Sequence, residues 1–396
     1  MRAALISLLG QPRDSARQQP LAIAGKTLAW RQLDFALAAG CDCVIALGDG
    51  GSAEAIALRH AAEYAGARFQ SVTDSRGLLG AVRADDELLV LAPGLLPEAS
   101  DALDAIGTRK GVLVFPAGPG VAAGFERLDL NRAWAGAVVV GGAQVERLSE
   151  LPHDIEPTSA LVRIALQARL PERTLSEALL VDGTWQTVPD GTAATAIDQA
   201  WLRRHLPPVR PSTPTAWLVT QLFRRFGNRM LSAPVRRMPL LPGAAALLLG
   251  AVVATWFAYP ALGFILLALG AFLALAGGEL AHLRRAPFGN ALPGGFAAAM
   301  PWMVDGALLV CAILAGEGDG LQRAFGPLVL IGALYAARPE LRTDWTPLLG
   351  DRGSLALLFA AASALALLQP AIMLVALILI ALNVAQTQGT QRITSA

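Results

Sequence analysis

The sequence predicts two unlike halves in one chain: a soluble α/β domain with a mainly parallel, Rossmann-like sheet, then an all-α transmembrane bundle of six helices. Three observations predict this. First, the chain is 54% hydrophobic and 16% charged, with a mean hydropathy of +0.49. The excess is uneven. Charges recur up to about Pro211, whereas from Leu240 onward long runs of Ala, Leu, Val, Ile and Gly are broken only by short charged stretches. Second, the first half alternates short continuous apolar runs with amphipathic ones, as strands buried on both faces between helices require. Third, prolines accumulate in "HLPPVRPSTPTA" and the pattern stops, which sets the boundaries at 1–210, 211–238 and 239–396.

Along the first domain, "AALISLL" reads as a strand. It is shorter than the apolar core of a signal peptide, and Gly10 and Pro12 end it, so a first buried strand is expected there. "TLAWRQLDFALAAG" is an amphipathic helix stopped by Gly40, "CVIALG" a second strand, and "SAEAIALRHAAEYAG" a helix ending at Gly66. "ELLVLAP", "GVLVFPAG" and "AGAVVVGG" supply further strands, "SALVRIALQARL" a helix, and "LLVDGTWQTV" an edge hairpin. In "LGDGGSAEA", Asp49, Gly50 and Gly51 precede a helix. They suit either an anion at the helix N-terminus or a plain turn capped by Ser52.

Residues 211–238 form a juxtamembrane amphipathic segment. Trp217, Leu218, Leu222, Phe223 and Phe226 can share one helical face, with Arg224, Arg225 and Arg229 at its polar edge. Such a segment suits the interface of an anionic membrane, or a solvated linker. Six apolar segments follow, near 240–259, 261–280, 296–315, 325–337, 354–368 and 370–385; the fourth and fifth are short for full spans. Arg236, Arg237, Arg284, Arg285, Arg338, Arg342, Arg352 and Arg392 would fall on one side and Arg323 on the other. The positive-inside rule then puts the soluble domain and both termini in the cytoplasm, on a multi-pass inner-membrane protein.

The net charge of +1 and the lack of basic runs interleaved with aromatics exclude nucleic acid as a partner. Cys41 and Cys43 form a C-x-C without a second pair or nearby histidine, and Cys311 lies in an apolar run, so buried reduced thiols are expected. His60, His153, His205 and His282 have no metal-ligand spacing.

"FGNRMLSAPVRRMPLLPG" before the first apolar segment, the six segments, and "GGELAHLRRAPFG" after the second resemble the CDP-alcohol phosphotransferases, over roughly the last 180 residues. That family carries D-x-x-D-G-x-x-A-R, a glycine, and two more aspartates at four-residue spacing, which on helices hold divalent metals against a pyrophosphate. Gly278, Glu279, Leu280 and Ala281 match the middle of the motif, and Phe288 and Gly289 match the Phe-Gly pair beyond it. Ala274 and Gly277 stand in place of the first two aspartates, His282 in place of the arginine, and Pro293 and Ala297 in place of the last two aspartates. By this resemblance no metal ligand set is expected. Asp305, further along the third segment, is either functional or paired within the bundle.

"ISLLGQPRDSARQQPLAIAGKTLAWRQLDFALAAGCDCVIAL" resembles the opening of the sugar-phosphate and alcohol-phosphate nucleotidyltransferases. There too the reactive groups are altered. The glycine-rich turn is reduced to Gly10-Gln11-Pro12, and Pro12 has no amide hydrogen for a phosphate. Gln19 replaces a lysine, with Arg13 or Arg17 as possible substitutes, and Ala92-Pro93-Gly94 offers no carboxylate after the third strand. Asp85 and Asp86 precede that strand.

Together the resemblances imply a catalytically degenerate membrane protein of phospholipid head-group synthesis, acting as partner, scaffold or regulator. It would associate with membrane lipids and either with itself or with an intact phosphotransferase paralogue. Arg13, Arg225, Arg229, Arg236, Arg237, Arg284 and Arg285 are the expected phosphate-binding groups, and no cofactor is expected. The alternative is a divergent bifunctional enzyme that activates an alcohol phosphate with CTP and transfers it, with Glu279 and His282 in acid–base roles and Mg²⁺ or Mn²⁺ bound.

Overall fold

The computed structural model describes residues 1–9, 20–107, 109–152, 155–206, 208–233, 239–288, 295–336 and 346–393. The chain divides into two compact units, Met1–Trp201 with Pro287–Gly289, and Leu202–Ala286 with Asn290–Ala396.

The first unit runs β1 (Arg2–Ser7), β2 (Ala22–Ile23), β3 (Lys26–Thr27), α1 (Leu28–Ala38), β4 (Cys43–Leu47), α2 (Ala53–Tyr64), β5 (Arg68–Val72), α3 (Ser75–Ala81) and β6 (Glu87–Leu91). It continues through β7 (Leu95–Pro97), α4 (Ser100–Ile106), β8 (Gly111–Pro116), α5 (Ala117–Ala122), β9 (Arg132–Gly141), α6 (Gly142–Glu146) and α7 (Pro157–Gln167). β10 (Glu172–Thr174), α8 (Ala178–Val181), β11 (Trp185–Thr187) and α9 (Gly191–His205), whose last turn from Leu202 belongs to the second unit, complete it.

Seven strands form one sheet in the order β10-β8-β9-β6-β1-β4-β5. β1 lies inside the sheet, parallel to β4 (Ala3 opposite Cys43) and to β6 (Ala3 opposite Leu88). Alternate residues feed opposite faces, as the pleat dictates. Leu5, Ile45, Val90 and Val138 pack with Leu161 and Ile164 of α7 on one side. On the other, Ala4, Leu89 and Val139 pack with Phe35 and Ala36 of α1. This double burial is why the strands read as unbroken apolar runs. β9 is the exception to the parallel arrangement, antiparallel to both β6 and β8.

The expected hairpin in "LLVDGTWQTV" does not form. Leu179 and Leu180 are helical, the chain reverses at Gly183 (φ +64°), and β11 pairs antiparallel with β7 in a separate two-stranded sheet. The reason is Trp185. Its ring is fully buried and its Nε1 donates to the Ala135 carbonyl at 2.7 Å, which draws this strand inward, away from an edge. The turn before α2 is internally satisfied. Ser52 Oγ accepts from Ala55 N at 3.2 Å and Asp49 Oδ1 from Gly51 N at 2.9 Å, which is the capped-turn arrangement.

The second unit is helical: α10 (Pro214–Ser232), α11 (Leu240–Trp256), α12 (Pro260–Arg285), α13 (Gly295–Leu314), α14 (Gly320–Ala336), α15 (Thr346–Gly350), α16 (Arg352–Ala364) and α17 (Leu368–Ile393). Its core joins Leu248, Phe264, Leu267, Met300, Leu308, Leu330, Phe359 and Ile372. α12 meets α11 along a glycine seam at seven-residue spacing. A Cβ on Gly263 would strike Thr255 Oγ1, one on Gly270 would come within 3.0 Å of Leu248 Cδ2, and one on Gly277 within 2.6 Å of Leu241 Cδ2. Small residues allow such backbones to approach closely. Among the described residues α12 and α13 are long and apolar enough to cross a membrane, while α11, α16 and Leu368–Val384 of α17 are shorter apolar helices.

Candidate functional site

A cavity of about 340 Å³ opens within the helical unit, lined by α10, α12, α13, α16 and the residues just before α16. Small side chains leave the room: Ala271, Ala274 and Gly278 on α12, Ala297 on α13, Gly350 at the end of α15, and Gly353 in the first turn of α16. Pro301 lies on the same wall and has no N–H to donate to the Ala297 carbonyl four residues back. The polar lining is Thr215, Glu279, Asp305, Asp351 and Arg352.

Asp305 is buried in the middle of an apolar helix and is fully engaged. Its Oδ1 accepts from Arg352 Nε at 2.8 Å, and its Oδ2 from Arg352 Nη2 at 3.1 Å and from Tyr335 Oη at 2.6 Å. Of the two readings open in the sequence, pairing within the bundle is the one observed. Arg352 Nη1 is also used, on the Gly350 carbonyl at 2.8 Å. Asp351 caps α16 through Ser354 N at 3.2 Å and also accepts from Thr215 Oγ1 at 2.7 Å, tying α10 to α16. Gly353 is required there, because a Cβ would collide with Thr215 Oγ1. Sequence reasoning missed Asp351; its signal was an aspartate directly before the helical "RGSLALLF". Glu279 lines the cavity and has no hydrogen-bond or ion-pair partner among the described residues.

The expected site residues disperse. Glu279 faces the cavity, but His282 is exposed and outside the lining. Arg284 is occupied with the end of α10, donating through Nη2 to the carbonyls of Met230 at 3.0 Å and Ala233 at 2.8 Å. Arg285 is half-buried; Arg225 and Arg229 are exposed on α10. α10 also divides its apolar residues differently from the expected single face. Phe223 points inward with Val219 and Met230, while Trp217, Leu218 and Phe226 are exposed beside the arginines. Arg13, Arg236, Arg237, Gly289 and Pro293 lie outside the described residues, as do Gly10, Pro12, Arg17 and Gln19.

Three carboxylates line the cavity, Glu279, Asp305 and Asp351, and the positions where the resemblance expects aspartates supply none. Ala274 and Ala297 contribute no oxygen ligand from their side chains, a side chain at Gly277 would run into Leu241, and Asp305 is committed to Arg352. Among the described residues no three His, Cys, Asp or Glu side chains converge as metal ligands.

In the α/β unit, the chain leaves β1 toward β4 and returns to β6 on its other side, which makes a switch point at the carboxyl ends of β1 and β6. There the backbone after β6 is held by Gln32, whose Nε2 donates to Ala92 O at 2.8 Å and Leu95 O at 3.0 Å. A carboxylate does come after this strand: Glu98, buried, accepts from Trp201 Nε1 at 2.5 Å and pairs with the buried Arg31 at 3.5 Å. Asp86, by contrast, sits at the amino end of β6 and accepts from Arg83 N at 2.9 Å, a bond that holds its carboxyl below the usual range. All three cysteines are buried and unbonded to one another. No protein-family model matches the chain, and no curated protein does either.

Proposed function

We propose that the chain is a multi-pass membrane protein of the CDP-alcohol phosphotransferase type that has lost phosphotransfer chemistry and serves as a partner, scaffold or regulator in lipid head-group synthesis. The observation that carries this is the cavity itself. Two positions where the resemblance expects metal-binding aspartates, Ala274 and Ala297, line it without a carboxylate, and its buried Asp305 is paired with Arg352. The membrane part of the reading is supported by the outer surface of the helical unit. Leu249, Val253, Leu262, Ile265, Leu269, Val310, Leu328, Leu358, Leu374 and Leu377 are exposed on α11–α14, α16 and α17, which is costly in water and favourable in lipid. Trp256, Phe257 and Tyr259 cluster at the α11–α12 turn, as an interfacial belt would. The arginine bias favours a cytoplasmic α/β unit. The nucleotidyltransferase-like reading of that unit is supported by its mainly parallel sheet and its switch point.

One observation favours the second reading, a divergent enzyme: Glu279 faces the cavity without a partner among the described residues. The deciding experiment incubates the purified, lipid-reconstituted chain with mass-tagged CTP and glycerol- or inositol-type phosphates, with Mg²⁺ or Mn²⁺. No CDP-alcohol and no transferred product are expected. Turnover that Glu279→Gln abolishes would overturn the non-catalytic reading. Release of the chain from membranes by alkaline carbonate would overturn the membrane reading.

A further inference from the structure

Both ends of α10 are fastened at one end of the helical unit. Glu279 near the end of α12, Ala297 in the first turn of α13 and Gly353 in the first turn of α16 line one cavity, so α12 ends where α13 and α16 begin. Thr215, in the first turn of α10, is bonded to Asp351 at that end, and the α10 carbonyls of Met230 and its cap Ala233 are bonded to Arg284 in the last turn of α12. Val219, Phe223, Gly227 and Met230 supply the inward face. Facing away are Trp217, Leu218 and Phe226, interleaved with Arg224, Arg225 and Arg229. No aspartate or glutamate occurs on α10.

We infer that this outer face of α10 docks on the anionic head-group layer of a lipid bilayer, so that the protein senses the charge of the membrane that holds it. The inference rests on the membrane reading above. A helix of 19 residues is about 28 Å long, enough to span several head groups. Its guanidinium forks match lipid phosphates, and Trp217, Leu218 and Phe226 supply the apolar contact with the acyl boundary that a purely electrostatic site lacks. Thr215, at the start of α10, is bonded to Asp351, so the docked helix adjoins the cavity that both residues line.

The test places an environment-sensitive fluorophore on Leu218→Cys in the full chain, whose own thiols are buried. The labelled protein is reconstituted in nanodiscs of phosphatidylcholine alone, or with phosphatidylglycerol added. Blue-shifted emission, quenched by a head-group-level quencher, is expected in the anionic discs and to a much smaller extent in the neutral ones. Arginine-to-glutamine changes at 224, 225 and 229 together should remove the preference, at roughly five-fold per arginine, and lysines at the same positions should restore it. Equal signals in both discs would overturn the inference, as would a glutamine variant that keeps the preference. So would soluble glycerol phosphate reproducing the shift in neutral discs, since α10 would then be a small-phosphate site. In each of these cases the chain stays in the membrane, which separates them from failure of the membrane reading.

Discussion

Asp305 and Arg352 meet side-on, Nε to Oδ1 at 2.8 Å and Nη2 to Oδ2 at 3.1 Å, although they stand 47 positions apart in the chain. Removing one partner leaves a charge in an apolar surrounding, whereas removing both leaves none. Asp305→Asn or Arg352→Gln alone should each cost about 2–4 kcal/mol, and the double variant less than the sum. Thermal unfolding in detergent would check this; additive losses would mean that the pair is not coupled.

The glycine seam predicts opposite effects for neighbouring residues. A methyl group at Gly277 meets Leu241 and Leu240, so Gly277→Ala should cost about 1–3 kcal/mol by forcing α11 and α12 apart. At Gly278 a Cβ meets nothing within 4 Å, and Gly278→Ala should be neutral or stabilise the helix by up to about 1 kcal/mol. The melting temperature of Gly277→Ala should therefore fall below the parent value, while that of Gly278→Ala should equal or exceed it.

Burial raises the Asp198 carboxyl above its ordinary range, against the lowering effects of the Ala24 N–H and Arg31. A carboxyl that is harder to ionise in the folded state favours folding most below its unfolded pKa, and that advantage is lost as pH rises through its folded pKa. Asp198→Asn keeps an acceptor for Ala24 N, now 2.7 Å away, and should stabilise the α/β unit at neutral pH without gain under acid. Denaturant midpoints measured for both proteins across pH should converge toward low pH; parallel curves would contradict the assignment.

Burial also pushes the Cys41 thiol up to about 12 and raises that of Cys43. The thiolate is the reactive form. Maleimide labelling at pH 8 should therefore be slow for the native chain and rapid in denaturant, with Cys41 protected longer than Cys43. Mass spectrometry of timed digests would report each site.

Much of the fold was legible because burial leaves a period in the sequence. Strands covered on both faces must be apolar throughout, and "CVIAL" and "ELLVL" are; Thr27 and Ser52 mark the starts of α1 and α2 by capping. β5 was missed since "RFQSV" is a sheet edge with polar residues facing solvent, and β11 was misassigned since nothing local shows that Trp185 reaches Ala135. For the site, the small residues Ala274 and Ala297 that line the cavity were legible by position. The engagement of Arg284 with α10, and the separation of His282 from Glu279, were not.

By itself the sequence determined what is periodic and local: two halves of different hydropathy, the run of strands and helices, the caps, and small uncharged residues at 274, 277 and 297. Only the tertiary structure decided which distant groups neutralise one another. It paired Asp305 with Arg352, bound Asp351 to Thr215, and set Gly277 against Leu241 rather than toward the cavity. Ion pairing and close packing depend on separations of a few ångströms between residues far apart in the chain, and no spacing along the sequence encodes those distances.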